Sequence, residues 1–447
     1  MIGQVAFSLT VNSTAGGLST AITTAGGDLS TVTNLTVTGT IDARDFKTMY
    51  YDMTILSVLD LSAASIAEYS GNDGIVPGYS WNFQNEMPSF YVNFKGKQSL
   101  TSIICPLSLT AFGGFQDCKS LISVSLPSGI TRIPDSAFFG CTGLNSINIP
   151  SKVTEIAAHA FSDCTGLTSI TIPSSVSTIN YDSFSNCSAL ISVDPNNAGF
   201  SSQEGVLYNK LKTILMQCPT SETGNLILPS TVTTIKYKAF YNCMKLTSVS
   251  IPSSVTSIGN YAFQNCFDLT SINIPSLVTT IGIGTFRGCI SLTSITIPSL
   301  ITSFGYDAFF DCTNLKTIYS LNAIPPILGT SCFNATSLVI DVFVPTDAAV
   351  TAYRANVEWI AYFPGTIIKK GVPSAVPTLT NSNEKVYTNQ SAIIVEGTSV
   401  GETVSIYTLN GNKIKTALSQ SDRLSIPIKF HGVYLVKIAK NTVKVVL

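Results

Sequence analysis

The sequence predicts a repeat solenoid, mostly β with short helical turns, followed by a small all-β sandwich. Three observations carry that prediction. Cysteine returns at a constant spacing, at Cys118, Cys141, Cys164 and Cys187 and again at Cys243, Cys266, Cys289 and Cys312. The chain has 447 residues, too many for one ordinary compact core unless that core grows in one dimension by repetition. From about residue 374 the period is lost and short alternating strands take over.

The frame around each cysteine is constant. Three residues before it stand Phe115, Phe138, Phe161, Phe184, Phe240, Phe263, Phe286 and Phe309. Three after it stand Leu121, Leu144, Leu167, Leu190, Leu246, Leu269, Leu292 and Leu315. A β-branched residue follows (Ile147, Ile170, Ile272), then an aliphatic one and a proline at Pro127, Pro150, Pro173, Pro252, Pro275 and Pro298. L-x-x-I-x-I alternates like a short strand, and the proline ends its ladder. V-x-x-I then returns on the other side, and A-F-x-x-C closes the coil with a tight helical turn. These leucine positions make the expected fold an α/β-type leucine-rich-repeat solenoid, whose coils are stable only when stacked.

The same grammar appears upstream, in "VTNLTVTGTI" (32–41) and "LSVLDLSAASI" (56–66), so residues 1–99 read as atypical repeats with capping and the stack is expected to begin near Val32. "DARDFKTMYYDM" between them suits a short helix with Asp42 as N-cap. The solenoid proper is assigned to 100–368. Cys187 and Cys243 are separated by more than one period. Within that gap "GVLYNKLKTILMQCP" reads as two strands around Asn209-Lys210, a β-hairpin insertion over about 195–225 that leaves the stack and returns.

The eleven cysteines invite a metal or disulfide reading. Neither fits. Metal sites favour C-x-x-C pairs, none of which occurs, and only His159 and His431 could assist. Neighbouring coils place parallel Cβ vectors too far apart for the usual disulfide separation. The expected role is a small, inert hydrophobe in a tight turn. Cys105 and Cys218 take the aliphatic slot before a proline, and Cys332 the alanine slot before Phe333.

The L-x-x-I-x-I-P-x-x-V-x-x-I-x-x-x-A-F-x-x-C grammar resembles the BspA-like leucine-rich-repeat surface proteins of anaerobic bacteria. "FSSQEGVLYNKLKTIL", "LTVTGTIDARDFKTM" and the closing "VPTDAAVTAYRANVEW" resemble the same family, so the resemblance covers about 25–368. It implies a secreted or surface-displayed adhesin or protein-binding molecule, with any signal peptide removed, and no catalytic residues. The partners implied are host or bacterial surface proteins, with glycans as the alternative.

Residues 344–368 carry Tyr353, Trp359 and Phe363 on an expected helix and turn, which suits a cap over the open end of the stack. Residues 369–385 read as linker. Residues 386–447 read as the β-sandwich, with a hairpin signal at Asn410-Gly411, and resemble C-terminal sorting modules of secreted proteins from the same bacteria.

Charged residues make up 11% of the chain and the net charge is −1, without a basic run, which disfavours nucleic acid and anionic membrane as partners. No apolar stretch is long enough for a spanning helix. "GIGTFRG" (282–288) departs from the dinucleotide fingerprint in its third glycine and lies inside a repeat turn. No enzymatic activity, cofactor or metal is expected, and the chain is expected to be a monomer. Outward strand positions such as Asn145, Ser146, Asn148, Thr168, Ser169 and Thr171 form a carpet of hydroxyls and amides without interface anchors. Aromatics gather at turn positions instead. Tyr181, Tyr237, Tyr241, Tyr261, Tyr306 and Phe310 form a candidate ligand-binding edge.

Overall fold

The computed structural model describes residues 6–69, 71, 73–74, 94–336, 340–362 and 368–371, together with 385–389, 392–396, 403–408, 413–420, 423–427, 433–438 and 441–446 of the C-terminal region. Phe363, His431, Asn410-Gly411 and most of the expected linker lie outside the described residues.

Each coil is built as the repeat grammar requires. The L-x-x-I-x-I segment forms a short strand whose aliphatic residues point inward. In Ser169–Ile172, Ile170 and Ile172 are buried while Ser169 and Thr171 are exposed. Strands of successive coils pair in parallel, as Ser294–Ile297 pairs with Thr317–Ser320. The V-x-x-I segments form a second ladder, in which Glu155 aligns with Arg132 on one side and Thr178 on the other. Phenylalanines form an internal column, with Phe138, Phe161 and Phe184 stacked at centroid spacings of 5.3 and 5.4 Å. Phe240, Phe263, Phe286, Phe309 and Phe333 continue the pattern in the second half.

All eleven cysteines are buried and free. Their thiols have a partner that the sequence did not reveal. Cys141 donates to the Phe115 carbonyl and Cys164 to that of Phe138, at 3.0 and 3.1 Å. Cys266, Cys289 and Cys312 repeat the arrangement on Phe240, Phe263 and Phe286. The cysteine fills space and also satisfies a carbonyl of the preceding coil.

The A-F-x-x-C segment is a tight turn closed by i→i−3 bonds, Phe139 N to Ser136 O and Cys141 N to Phe138 O. Its other N–H groups reach forward to the next coil, Phe138 to the Ala160 carbonyl and Gly140 to that of Ser162. The turn cannot extend into a helix because the residue before each cysteine is left-handed. Asp117, Gly140, Asp163, Asn186, Asn242, Asn265, Gly288 and Asp311 all have φ between 56° and 73°. Aspartate, asparagine and glycine are the residues that tolerate that conformation.

Four features depart from the sequence expectation. The stack starts before Val32, since Ser8–Ser13 already pairs in parallel with Asn34–Ile41. By contrast, Ala43–Lys47 is the short helix expected from the sequence, with Asp42 accepting from Arg44 N at 2.9 Å. Leu190 does not take the inward slot. Ile191, not the residue two later, aligns with Ile170, so Ala189 and Ile191 are buried and Leu190 is 49% exposed against Gly205.

The insertion does not leave the stack. Phe200–Gln203, Val206–Asn209 and Ile214–Gln217 form an antiparallel meander. Its last strand joins the V-x-x-I ladder in parallel with Thr234–Ile235. Val206, Leu207, Tyr208, Leu215 and Cys218 are core residues, because the meander's apolar face replaces that of a coil.

At the C-terminal end Trp359 is buried against Phe333 and Tyr353, and its indole N–H donates to the Pro326 carbonyl. Ile368–Lys370 adds a further parallel strand beside Asp341–Val344, so the solenoid sheet runs into the start of the expected linker. The C-terminal region is all-β and antiparallel, with Ile393, Val395, Val404, Ile406, Ile426 and Val436 as its own core.

Candidate interaction surface

The turn edge has a second left-handed position, five residues before the cysteine. It holds Ser136, His159, Asp182, Lys238, Tyr261, Gly284 and Asp307, with φ between 54° and 57°. Glycine suits this slot best, and aspartate and histidine tolerate it. Serine, lysine and tyrosine there cost about 1–2 kcal/mol each. The bulky residues His159, Lys238 and Tyr261 all belong to one aromatic and cationic stripe.

The stripe begins where the His159 ring meets Phe139 and Tyr181 edge-on, at 6.4 and 5.3 Å. Asp182, buried beside Tyr181, accepts a 3.1 Å ion pair from Lys238 across the meander junction. The Lys238 ammonium lies 5.1 Å from the Tyr237 ring centre and 5.2 Å from that of Tyr241. Burial pulls the Lys238 pKa down, but the hydrogen bond and charge of Asp182 outweigh it and leave the pKa raised. Tyr237 meets Tyr261 edge-on at 5.9 Å. The Tyr261 ring covers Gly284, where a Cβ would stand 2.4 Å from it. Gly284 N donates to the Tyr306 carbonyl. Beyond it, Arg287 pairs with buried Asp307 at 2.6 Å and lies 4.7 Å from the Phe310 ring centre.

The six aromatics expected from sequence therefore share one edge. Tyr181 is 70% exposed, Tyr306 50% and Tyr237 43%, while Tyr241, Tyr261 and Phe310 are half-buried supports. They fall into three clusters linked by ion pairs and turn hydrogen bonds. Sequence reasoning missed His159, Lys238, Arg287 and the two aspartates. The signal was present, because these residues share the repeat positions of the tyrosines or their neighbours. Both cations are matched by carboxylates, so the stripe is close to neutral.

The outward strand face is quieter in this stretch. Ser248 donates to Asn225, while Thr168 and Thr270 donate to the Asn145 and Thr247 carbonyls. Its hydroxyls are partly used in holding coil to coil. Among the described residues no group of three or more His, Cys, Asp or Glu side chains is placed to hold a metal ion. "GIGTFRG" lies in a coil turn, with Gly284 and Gly288 left-handed.

Parallel coils with a phenylalanine column and a cysteine-closed turn define a bacterial-type leucine-rich-repeat solenoid. The family model for the BspA type leucine-rich-repeat region matches at 91–191, 112–221 and 212–339, more than half of the chain, and the chain belongs to that family. A leucine-rich cell surface protein from Faecalibacterium prausnitzii is similar in structure, with 27% identity, 71% of this chain and 85% of that chain covered, and a TM-score of 0.53. The pneumococcal vaccine antigen PcpA shares the fold at 16% identity, with 76% and 79% covered and a TM-score of 0.50. No curated protein matches in sequence. Among the described residues no helix is long and apolar enough to cross a membrane.

Proposed function

We propose that the chain is a non-catalytic adhesion or interaction protein, displayed at the cell surface or secreted, that binds a protein partner through the turn edge. One observation carries this reading. Three large side chains, His159, Lys238 and Tyr261, occupy a left-handed slot that glycine fills without strain in the coil of Gly284, and all three build the same stripe. The left-handed slot recurs in all seven coils and belongs to the fold; the large side chains chosen for it, and the exposed Tyr181, Tyr237 and Tyr306 beside them, are what favour a binding edge. The stripe runs across seven turns, from the one closed by Cys141 to that closed by Cys312, or ~29 Å at ~4.8 Å per coil. That length suits a standard protein interface, and exposed tyrosines beside arginine are its usual anchors. Because the cations are already paired, binding should depend weakly on salt.

Immobilised protein incubated with host-matrix and bacterial-surface protein fractions tests the reading. A retained partner should lose at least about 2 kcal/mol of affinity in a Tyr181→Ala, Tyr237→Ala, Tyr306→Ala triple variant. Failure to retain any protein, or equal retention by the triple variant, would refute it.

A further inference from the structure

The outward strand face changes character at its C-terminal end. In most coils the middle outward position is small and polar, as in Ser250, Asn273 and Thr296. The next strands place Tyr319 in register with Thr296, Phe343 in register with Tyr319, and Lys369 in register with Phe343. Tyr319 and Phe343 stack at 5.3 Å and 24°, and the Lys369 ammonium lies 5.9 Å from the Phe343 ring centre. Phe343 thus covers one face of Tyr319 and lies between it and Lys369. On the other side Tyr319 is in register with the short Thr296, the preceding coil carries Asn273 at the same repeat position, and Tyr319 is partly exposed.

We propose that this end of the strand face binds an uncharged oligosaccharide, with Tyr319 as the wall on which a sugar ring stacks. An aromatic face receives the C–H side of a pyranose, while neighbouring hydroxyls and amides meet its hydroxyl groups. Here those neighbours are Asn273, Ser294, Thr296 and Thr317, all polar and uncharged. The nearest charges lie at the margins of this patch and sum to one positive charge. Lys369 lies beyond Phe343, Asp341 is in register with Thr317, and Lys316 precedes Thr317 in the chain. The two coils before Tyr319 give ~10 Å of polar strand face, enough for a short oligosaccharide. This surface shares no residue with the turn edge, so the two readings stand or fall separately.

The full chain is titrated with neutral hexasaccharides of glucose, mannose, xylose and N-acetylglucosamine, followed by calorimetry and saturation-transfer NMR. At least one should bind, unchanged between about 50 and 500 mM salt. Tyr319→Ala should weaken it about tenfold or more, Tyr319→Phe should retain it, and Thr296→Trp, in register beside Tyr319, should abolish it by covering the ring. Tyr237→Ala on the turn edge should have no effect. The proposal is overturned if no member of the panel binds at millimolar concentration, if added salt abolishes binding, or if binding survives both Tyr319→Ala and Thr296→Trp in proteins that melt like the parent.

Discussion

Raising the pH should unfold this protein cooperatively well below the range in which most folded domains fail. Ten of its buried thiols have their pKa pushed up, in each case chiefly by burial. For Cys105, Cys118 and Cys187 the value reaches about 12. In the unfolded chain each thiol ionises near its ordinary value of ~8.5. Above that pH the unfolded state binds fewer protons than the folded one, so stability falls as pH rises. One pH unit above the unfolded pKa, each thiol has cost ~1.4 kcal/mol. Ten cost about 14 kcal/mol, about 7 kcal/mol for the five in each of the two cores, a large part of the 5–15 kcal/mol that usually holds a domain folded. Lys97 opposes the trend, because burial lowers its pKa to about 8 and neutralising it favours the fold. It is one group against ten. Denaturant titrations under a thiol reductant, from pH 7.5 to 9.5, should show the unfolding free energy dropping ever more steeply, with thiolate absorbance appearing only on unfolding. A Cys141→Ala, Cys289→Ala double variant should flatten the limiting slope by about 2.7 kcal/mol per pH unit. A flat stability profile across this range, or thiolate absorbance in the folded protein, would refute the reasoning.

Cys164→Ala should cost about 1–2 kcal/mol and Cys164→Ser no more, because the Phe138 carbonyl is there to accept the hydroxyl; thermal melts compare the two. Asn197 is fully buried, donates to the Pro173 and Val176 carbonyls and accepts from Gly199 N and Phe200 N, so Asn197→Ala should lose about 3 kcal/mol or more in denaturant titration. Asp45 accepts from the backbone N–H groups of Gly16, Leu18 and Asp42, and Asp45→Ala should destabilise the N-terminal coils similarly, seen as early hydrogen exchange over 8–24. Arg287→Ala strands the buried Asp307 carboxylate and should cost about 3 kcal/mol. Adding Asp307→Gly should restore most of it, since glycine fits that left-handed slot.

The coil interior was legible because its constraint repeats. A phenylalanine, a cysteine and a leucine at fixed offsets leave little freedom in which side chains point inward. Legibility failed where the phase shifts. After Cys187 the run Ala189-Leu190-Ile191 is apolar throughout, so composition alone cannot say which residue faces the core. Only the alignment of Ile191 with Ile170 decides it. The meander was misplaced for a related reason. "GVLY" reads as an exposed hairpin strand, but Val206, Leu207 and Tyr208 are all buried, as in a strand covered on both faces. Past Cys312 the period drifts, with Thr336 in the position a cysteine would take and Ile318 pairing with Val342. Tyr319 and Phe343 therefore did not align by counting. The tyrosines of the turn edge did, because they sit within a few residues of the cysteine that sets the frame.

Asn197 and Asn322 show how one chain ends a repeat twice. Each follows the fourth cysteine of a run, at Cys187 and Cys312. Asn197 bonds the carbonyls of Pro173 and Val176, and Asn322 those of Pro298 and Ile301, the same two positions in the preceding coil. In an uninterrupted stack the next coil's own P-x-x-V turn covers that site. Where no such turn follows, a buried amide satisfies the carbonyls that would otherwise face the core. The buried apolar residues divide at the first of these ends, into one core from Val11 to Leu207 and another from Val206 to Ile368. After Asn197 the meander restarts the stack, and after Asn322 the Trp359 segment closes it. The Lys238–Asp182 pair and the Asn242–Asn186 hydrogen bond bridge the first junction. The turn edge therefore stays continuous where the core does not.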